Sequence, residues 1–225
     1  MPLALVRLLQ LASPALPVGA YTYSQGLEMA ADAGIVRDEA SACLWIGDLL
    51  DTTVGRFEAP LLARLMETWR AGDFDRVASL NDDYLASRET SELRAETEQM
   101  GYSLLRLLRD LGEVPGPALA PLQQIAPPAF PTVWSFAASA WELAAEDAVT
   151  AWMWSWLENQ VMAAVKLVPL GQTAGQRLLL QLGARIPSLA RTALETPESE
   201  FSNFSPAFAI ACCRHETQYS RLFRS

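Results

Sequence analysis

LRAETEQMGYSLLRLLRDL, residues Leu93–Leu111, sets Leu93, Thr97, Met100, Leu104, Leu108 and Leu111 three and four positions apart. That spacing puts them on one face of a long helix. Gly112, Pro115, Gly116 and Pro117 follow and end it. The same period recurs upstream. Asp38 is placed to cap a helix carrying Leu44, Trp45, Leu49 and Leu50, and a further helix covers Ala59 to Trp69 and stops near Gly72. Asp73 is placed to cap the next, through Val77, Leu80 and Leu85.

Three stretches break the period. Ser13–Tyr23 (SPALPVGAYTY) holds two prolines and a glycine and reads as a loop or extended arm. Pro115–Pro131 contains six of the 14 prolines and reads as a connector between helical halves. Thr196–Ser205 is polar and separates the last helix from the body. No run of alternating Val, Ile and Thr reads as a strand, and no fixed repeat appears. The expected architecture is an all-α bundle of about ten helices in one domain, 1–225, with an arm at 1–24 and a C-terminal segment at 206–225.

Composition narrows the function. With 17 basic against 26 acidic residues the net charge is −9, and Lys166 is the only lysine. No long basic stripe for nucleic acid can be assembled from that. Hydrophobic residues make up 51% and charged ones 19%. A surface short of charge implies that another chain covers part of it. Ala148–Pro169 (AVTAWMWSWLENQVMAAVKLVP) has the length of a membrane span, but Glu158, Asn159 and Gln160 sit at its middle. A charge there costs about 2.5–3.5 kcal/mol on insertion scales, so a helix buried in protein is expected instead. The N-terminus carries no cleavage pattern of a signal peptide. Three cysteines, Cys43, Cys212 and Cys213, make no disulfide framework, and a reducing cytoplasm is expected.

The chain offers little for catalysis. It has no phosphate-binding glycine loop, and its one histidine, His215, lies beside the last residues, without a rigid scaffold for a catalytic triad. Cys212 and His215 share a helix face, with Cys213 and Glu216 close by, so a zinc-, nickel- or copper-type site is conceivable. Yet C-C-x-H is no recognised ligand spacing. The simpler reading is two small cysteines packing a helix whose His215 is hydrogen-bonded.

Three other segments stand out. Arg88–Arg94 (RETSELR) pairs Arg88 with Glu92 and Arg94 with Glu98 if it is helical throughout, worth about 0.2–0.5 kcal/mol each. The alternative is a polar network pinning this helix to another element. Lys166–Gln172 (KLVPLGQ) carries the single lysine at the end of an apolar helix, before Pro169 and Gly171. That is ordinary helix termination, and also a good recognition point. Arg214–Ser225 (RHETQYSRLFRS) concentrates arginine and aromatic residues, the types that dominate the centres of protein contacts.

These last three segments, together with Leu11–Glu28 (LASPALPVGAYTYSQGLE), stand in an order and spacing that closely resemble the urease accessory protein UreF family. The resemblance runs over nearly the whole chain. It implies an all-α, non-catalytic maturation chaperone that forms a homodimer within a complex with UreD (also called UreH) and the nickel-carrying GTPase UreG. That complex docks on apo-urease. Nickel and GTP would be handled by partners, with no cofactor of its own. The residues the resemblance places at partners are Arg214, His215, Glu216, Tyr219, Arg221, Phe223 and Arg224 of the tail, Lys166, and Pro17, Gly19, Tyr21 and Ser24 of the arm. A direct nickel carrier using Cys212, Cys213 and His215 is the alternative. RETSELR is assigned to internal structure.

Overall fold

A computed structural model describes residues 2–225, and among them every regular element is helical. The helices are α1 (Pro2–Leu11), α2 (Leu27–Asp32), α3 (Glu39–Leu49), α4 (Ala59–Ala71), α5 (Phe74–Ala86), α6 (Ser91–Leu111), α7 (Gly116–Gln124), α8 (Phe130–Ala140), α9 (Ala145–Leu167), α10 (Gln172–Gly183), α11 (Ile186–Glu195) and α12 (Pro206–His215). Short 3-10 turns occupy Ala20–Thr22 and Glu198–Glu200.

The expected caps form. Asp38 accepts from the Ser41 amide at 2.8 Å and Ser41 returns the bond, a capping box opening α3. Asp73 accepts from the Arg76 amide at the start of α5. The predicted face of α6 faces inward from Leu93 to Leu108, and only Leu111, the last residue before the Gly112 cap, turns outward. Gly101 lets this helix approach the chain ahead of α8 closely: a Cβ there would stand 2.1 Å from the Pro128 carbonyl.

Three features differ from the sequence expectation. α3 and α4 are joined without a break by a π-helical stretch, Leu50–Glu58. The wider turn rotates Glu58 into the interior, where it is buried. The proline-rich connector is not wholly irregular. α7 begins with Pro117 in its first turn, where proline's missing N–H costs nothing. The arm likewise begins with α1 before the loop that follows it.

α4 packs against α5, α8, α9 and α11, and α9 against α1, α2, α4, α10 and α11. α9 therefore buries residues around much of its circumference, including Trp152, Met153, Leu157, Val161 and Ala164. This is why its sequence looks like a span. Among the described residues no helix is long and apolar enough to cross a membrane. One continuous apolar cluster runs from Leu11 to Phe223, so the chain's last residues share the main core.

Candidate functional site: a clamped C-terminal tail

The tail does not trail away from α12. His215, the last residue of that helix, is 0% exposed. Its Nδ1 lies 2.7 Å from a Glu92 oxygen and its Nε2 lies 3.2 Å from a Glu28 oxygen. Gly26 permits the approach of α2 to α12, since a Cβ on it would lie 3.0 Å from Cys212 Sγ.

After His215 the chain turns and is caught by three carboxylates in succession. Glu216 reaches back to α6 and accepts from the amides of Ser91 at 2.9 Å and Glu92 at 3.3 Å, and from the Ser91 hydroxyl. An anion is favoured at a helix N-terminus. The Ser91 hydroxyl, helped by those amides, holds the Glu216 carboxyl below its ordinary range. Glu92 accepts from Arg221 on the oxygen that His215 leaves free. Glu28, in the first turn of α2 and buried, accepts from the amides of Leu222 at 2.6 Å and Phe223 at 2.9 Å. Hydrogen bonds to a charged group are worth about 1.5–3 kcal/mol each, so this side chain orders the tail backbone.

The final residues lock onto the arm. The Arg224 amide donates to the Thr22 carbonyl at 2.8 Å. The Ser225 carbonyl accepts from the Ser24 amide at 2.8 Å and from its hydroxyl at 2.6 Å. The Ser225 hydroxyl donates to Glu96 at 2.7 Å, whose other oxygen takes the Gln25 amide at 2.7 Å. Burial pushes the Glu96 carboxyl up to about 7 against the opposing pull of these two bonds, and nearby Glu58 adds to the rise. Phe223 is 7% exposed, and Lys166 Nζ sits 5.5 Å from its ring centroid, within cation–π range.

The tail thus has two sides. Ser24, His215 and Phe223, expected at partners, are spent on the protein's own body. Outward stand Tyr219, fully exposed, and Leu222, 76% exposed, with Arg214 and Arg224 beside them in the chain. Lys166 is exposed next to the clamped Phe223. In the arm Pro17 and Tyr21 are exposed, and Gly19 opens the 3-10 turn by offering its carbonyl to Thr22.

RETSELR serves this clamp, but not through the pairs its spacing suggested. α6 starts only at Ser91, capped by the Thr90 hydroxyl at the Leu93 amide, so Arg88 and Glu92 do not share a helix. Arg88 turns inward to Glu58 at 3.0 Å, with side chains 4% and 5% exposed. Its guanidinium lies 4.3 Å from the Tyr84 ring centroid. Arg94 donates to the Leu85 carbonyl rather than to Glu98. The carboxylates Glu28, Glu92 and Glu96 are the site residues that sequence reasoning missed. Their one signal was position, since Glu28 closes the Leu11–Glu28 motif, Glu92 lies within RETSELR and Glu96 lies beside the inward face of α6.

The proposed metal ligands do not converge. Cys212 is buried and burial pushes its thiol far up, which disfavours the thiolate a metal needs. Cys213 is exposed on the next position round the helix, and both His215 nitrogens are already engaged. Among the described residues no three His, Cys, Asp or Glu side chains gather as a metal site.

Fold and site together define an all-α protein whose most developed polar network fixes its C-terminal segment to its own body. The family model described as UreF matches residues 36–183. Over 224 residues the chain is 63% identical to the urease accessory protein UreF of Dechloromonas aromatica, covering 99% of this chain and 98% of that one. It is 64% identical over 225 residues to the protein of the same name from an Azoarcus species, covering 99% and 96%. A bifunctional urease accessory protein UreEF of Bordetella bronchiseptica is 48% identical over 224 residues, covering 98% of this chain and 52% of that one. The chain belongs to the UreF family of urease accessory proteins. The clamped tail lies beyond the residues that the family model matches, yet within the full-length similarity to these relatives.

Proposed function

We propose that this protein is a non-catalytic chaperone of urease maturation. It acts in the cytoplasm as a scaffold that binds UreD (UreH), recruits and regulates the GTPase UreG, and so helps nickel reach apo-urease. In that complex it is a homodimer, nickel is cargo, and GTP belongs to the partner. The observation that carries this reading is the two-sided tail. Its inner side is fixed by buried carboxylates, while Tyr219, Leu222 and Arg224 are displayed at little further entropic cost. Preorganised aromatic and arginine side chains suit the centre of an interface. The name of the Bordetella relative, UreEF, joins two accessory activities on one polypeptide, which fits a protein that works beside other maturation factors.

Deleting the tail is not a clean test, because it strips donors from the buried Glu28 and Glu96. Outward residues separate docking from folding. For Tyr219→Ala combined with Leu222→Ser we predict stability within about 0.5 kcal/mol of the parent, as for exposed changes. Capture of UreG by the UreD-bound protein should fall at least tenfold in a pull-down titration. Lys166→Ala should leave UreD binding intact and weaken control of GTP hydrolysis. Unchanged UreG capture by the double variant would overturn the assignment of the tail's outer side.

A further inference from the structure

Phe223 of the tail and Lys166 of α9 meet, and they differ in how firmly each is held. The Phe223 ring is 7% exposed and belongs to the main apolar cluster. Its backbone is fixed on both sides. Its own amide donates to Glu28 at 2.9 Å, and the next amide, of Arg224, donates to the Thr22 carbonyl at 2.8 Å. Lys166 stands exposed in the last turn of α9. Its backbone is set by the helix, so the mobile part is the four-carbon stem with its ammonium.

Among the described residues no ion pair involves Lys166. What its Nζ meets is the Phe223 ring, 5.5 Å from the centroid. At an exposed site such a contact favours the cation over the ring by a factor of about two to five. The helix C-terminus favours positive charge as well, but it does so for several directions of the stem, whereas the ring favours one. Because the ring is the fixed member, the contact orders the lysine. The ring in turn is placed by the clamp. Residues 216–225 form no helix, and their course is set by the bonds from Ser91 to Glu216, from Arg221 to Glu92 and from Leu222 to Glu28.

We propose that Phe223 is a positioning residue for Lys166. The clamped ring holds the ammonium in one direction, so the lysine and the outer side of the tail form a single preorganised docking surface, present only while the tail is seated. This rests on the reading of Lys166 as a contact that governs GTP hydrolysis by UreG, and it adds the residue through which the tail reaches that contact.

Lys166 is the only lysine, so isotope-labelled lysine incorporated into the full chain gives one Cε–Hε cross-peak. Protons over an aromatic face are shielded, and this signal should lie upfield of that of free lysine. Phe223→Leu should return it to the free position, and Phe223→Tyr, which keeps the ring, should not. Exchange at the Leu222 amide reports whether the tail stays seated in each variant. Where it rises in Phe223→Leu, a pair of exposed substitutions decides. Lys166→Gln should speed exchange of the Phe223 amide about two- to fivefold, and Lys166→Arg, which keeps a cation, should restore the parent rate. In the UreD-bound protein, Phe223→Leu should weaken control of GTP hydrolysis by UreG in the same sense as Lys166→Gln, and the double variant should lose no more than the worse single variant. The proposal is overturned by a lysine signal at the free position in the parent, by a signal unmoved in Phe223→Leu, by Phe223 exchange indifferent to Lys166→Gln, or by additive losses of control. Control unaffected by Lys166→Gln while the ring shift is present would instead overturn the contact role of Lys166 on which the positioning acts.

Discussion

Glu96 shows how a single side chain can set a pH response. Its folded value, about 7, lies above the ordinary 4.5 because burial dominates over two hydrogen bonds. The folded protein therefore binds a proton that the unfolded chain has released, and stability falls as pH rises from about 4.5 to 7. At 1.36 kcal/mol per unit this amounts to about 3 kcal/mol. We predict that Glu96→Gln abolishes this decline, so that urea midpoints of parent and variant diverge between pH 5 and 8 in the variant's favour. Parallel curves would remove Glu96 from the account. Little of this was legible beforehand. Periodicity placed Thr97 and Met100 inward, but Glu96 precedes that face by one position and is covered by Gln25 and by Ser225 of the tail.

At the scale of elements, α6 joins local and distant chemistry at one end. Thr90 caps it from within the chain's neighbourhood, and Glu216 caps it from across the molecule. Thr90 persists when Glu216 is changed, so the helix survives and the tail loosens. For Glu216→Gln we predict faster hydrogen exchange at the Leu222 and Phe223 amides with a global loss below about 1 kcal/mol. Because the Glu216 carboxyl is lowered in the folded state, the same loosening should appear in the parent on acidification through that lowered value. Exchange rates identical to the parent's would show that Glu216 does not hold the tail. Helix starts were readable from Asp38 and Asp73, whose capping bonds span three residues. The π-helical link between α3 and α4 was not, because a one-residue widening leaves no residue-type signature. Its effect, Glu58 facing Arg88, appears only when the link between α5 and α6 packs against it.

On the scale of the whole molecule, the four quoted motifs meet at one place. Leu11–Glu28 supplies Ser24, Gln25 and Glu28, RETSELR supplies Glu92, and KLVPLGQ supplies Lys166. These three converge on the fourth, the tail. Their order along the chain could be read from sequence, and so could the helical class. Their convergence could not, since it depends on contacts such as Ser24 to Ser225, which are 201 residues apart. Closing a loop of that length has a high entropic cost and must follow the packing that brings its ends together. In refolding followed by pulsed hydrogen exchange, the Ser24 and Arg224 amides should gain protection after the amides of α4 and α9. Simultaneous protection would contradict this order. The outer surface of the tail then exists only on molecules that have already completed their interior, and a partner docking on Tyr219 and Leu222, as proposed above, would by the same contact test whether folding has finished.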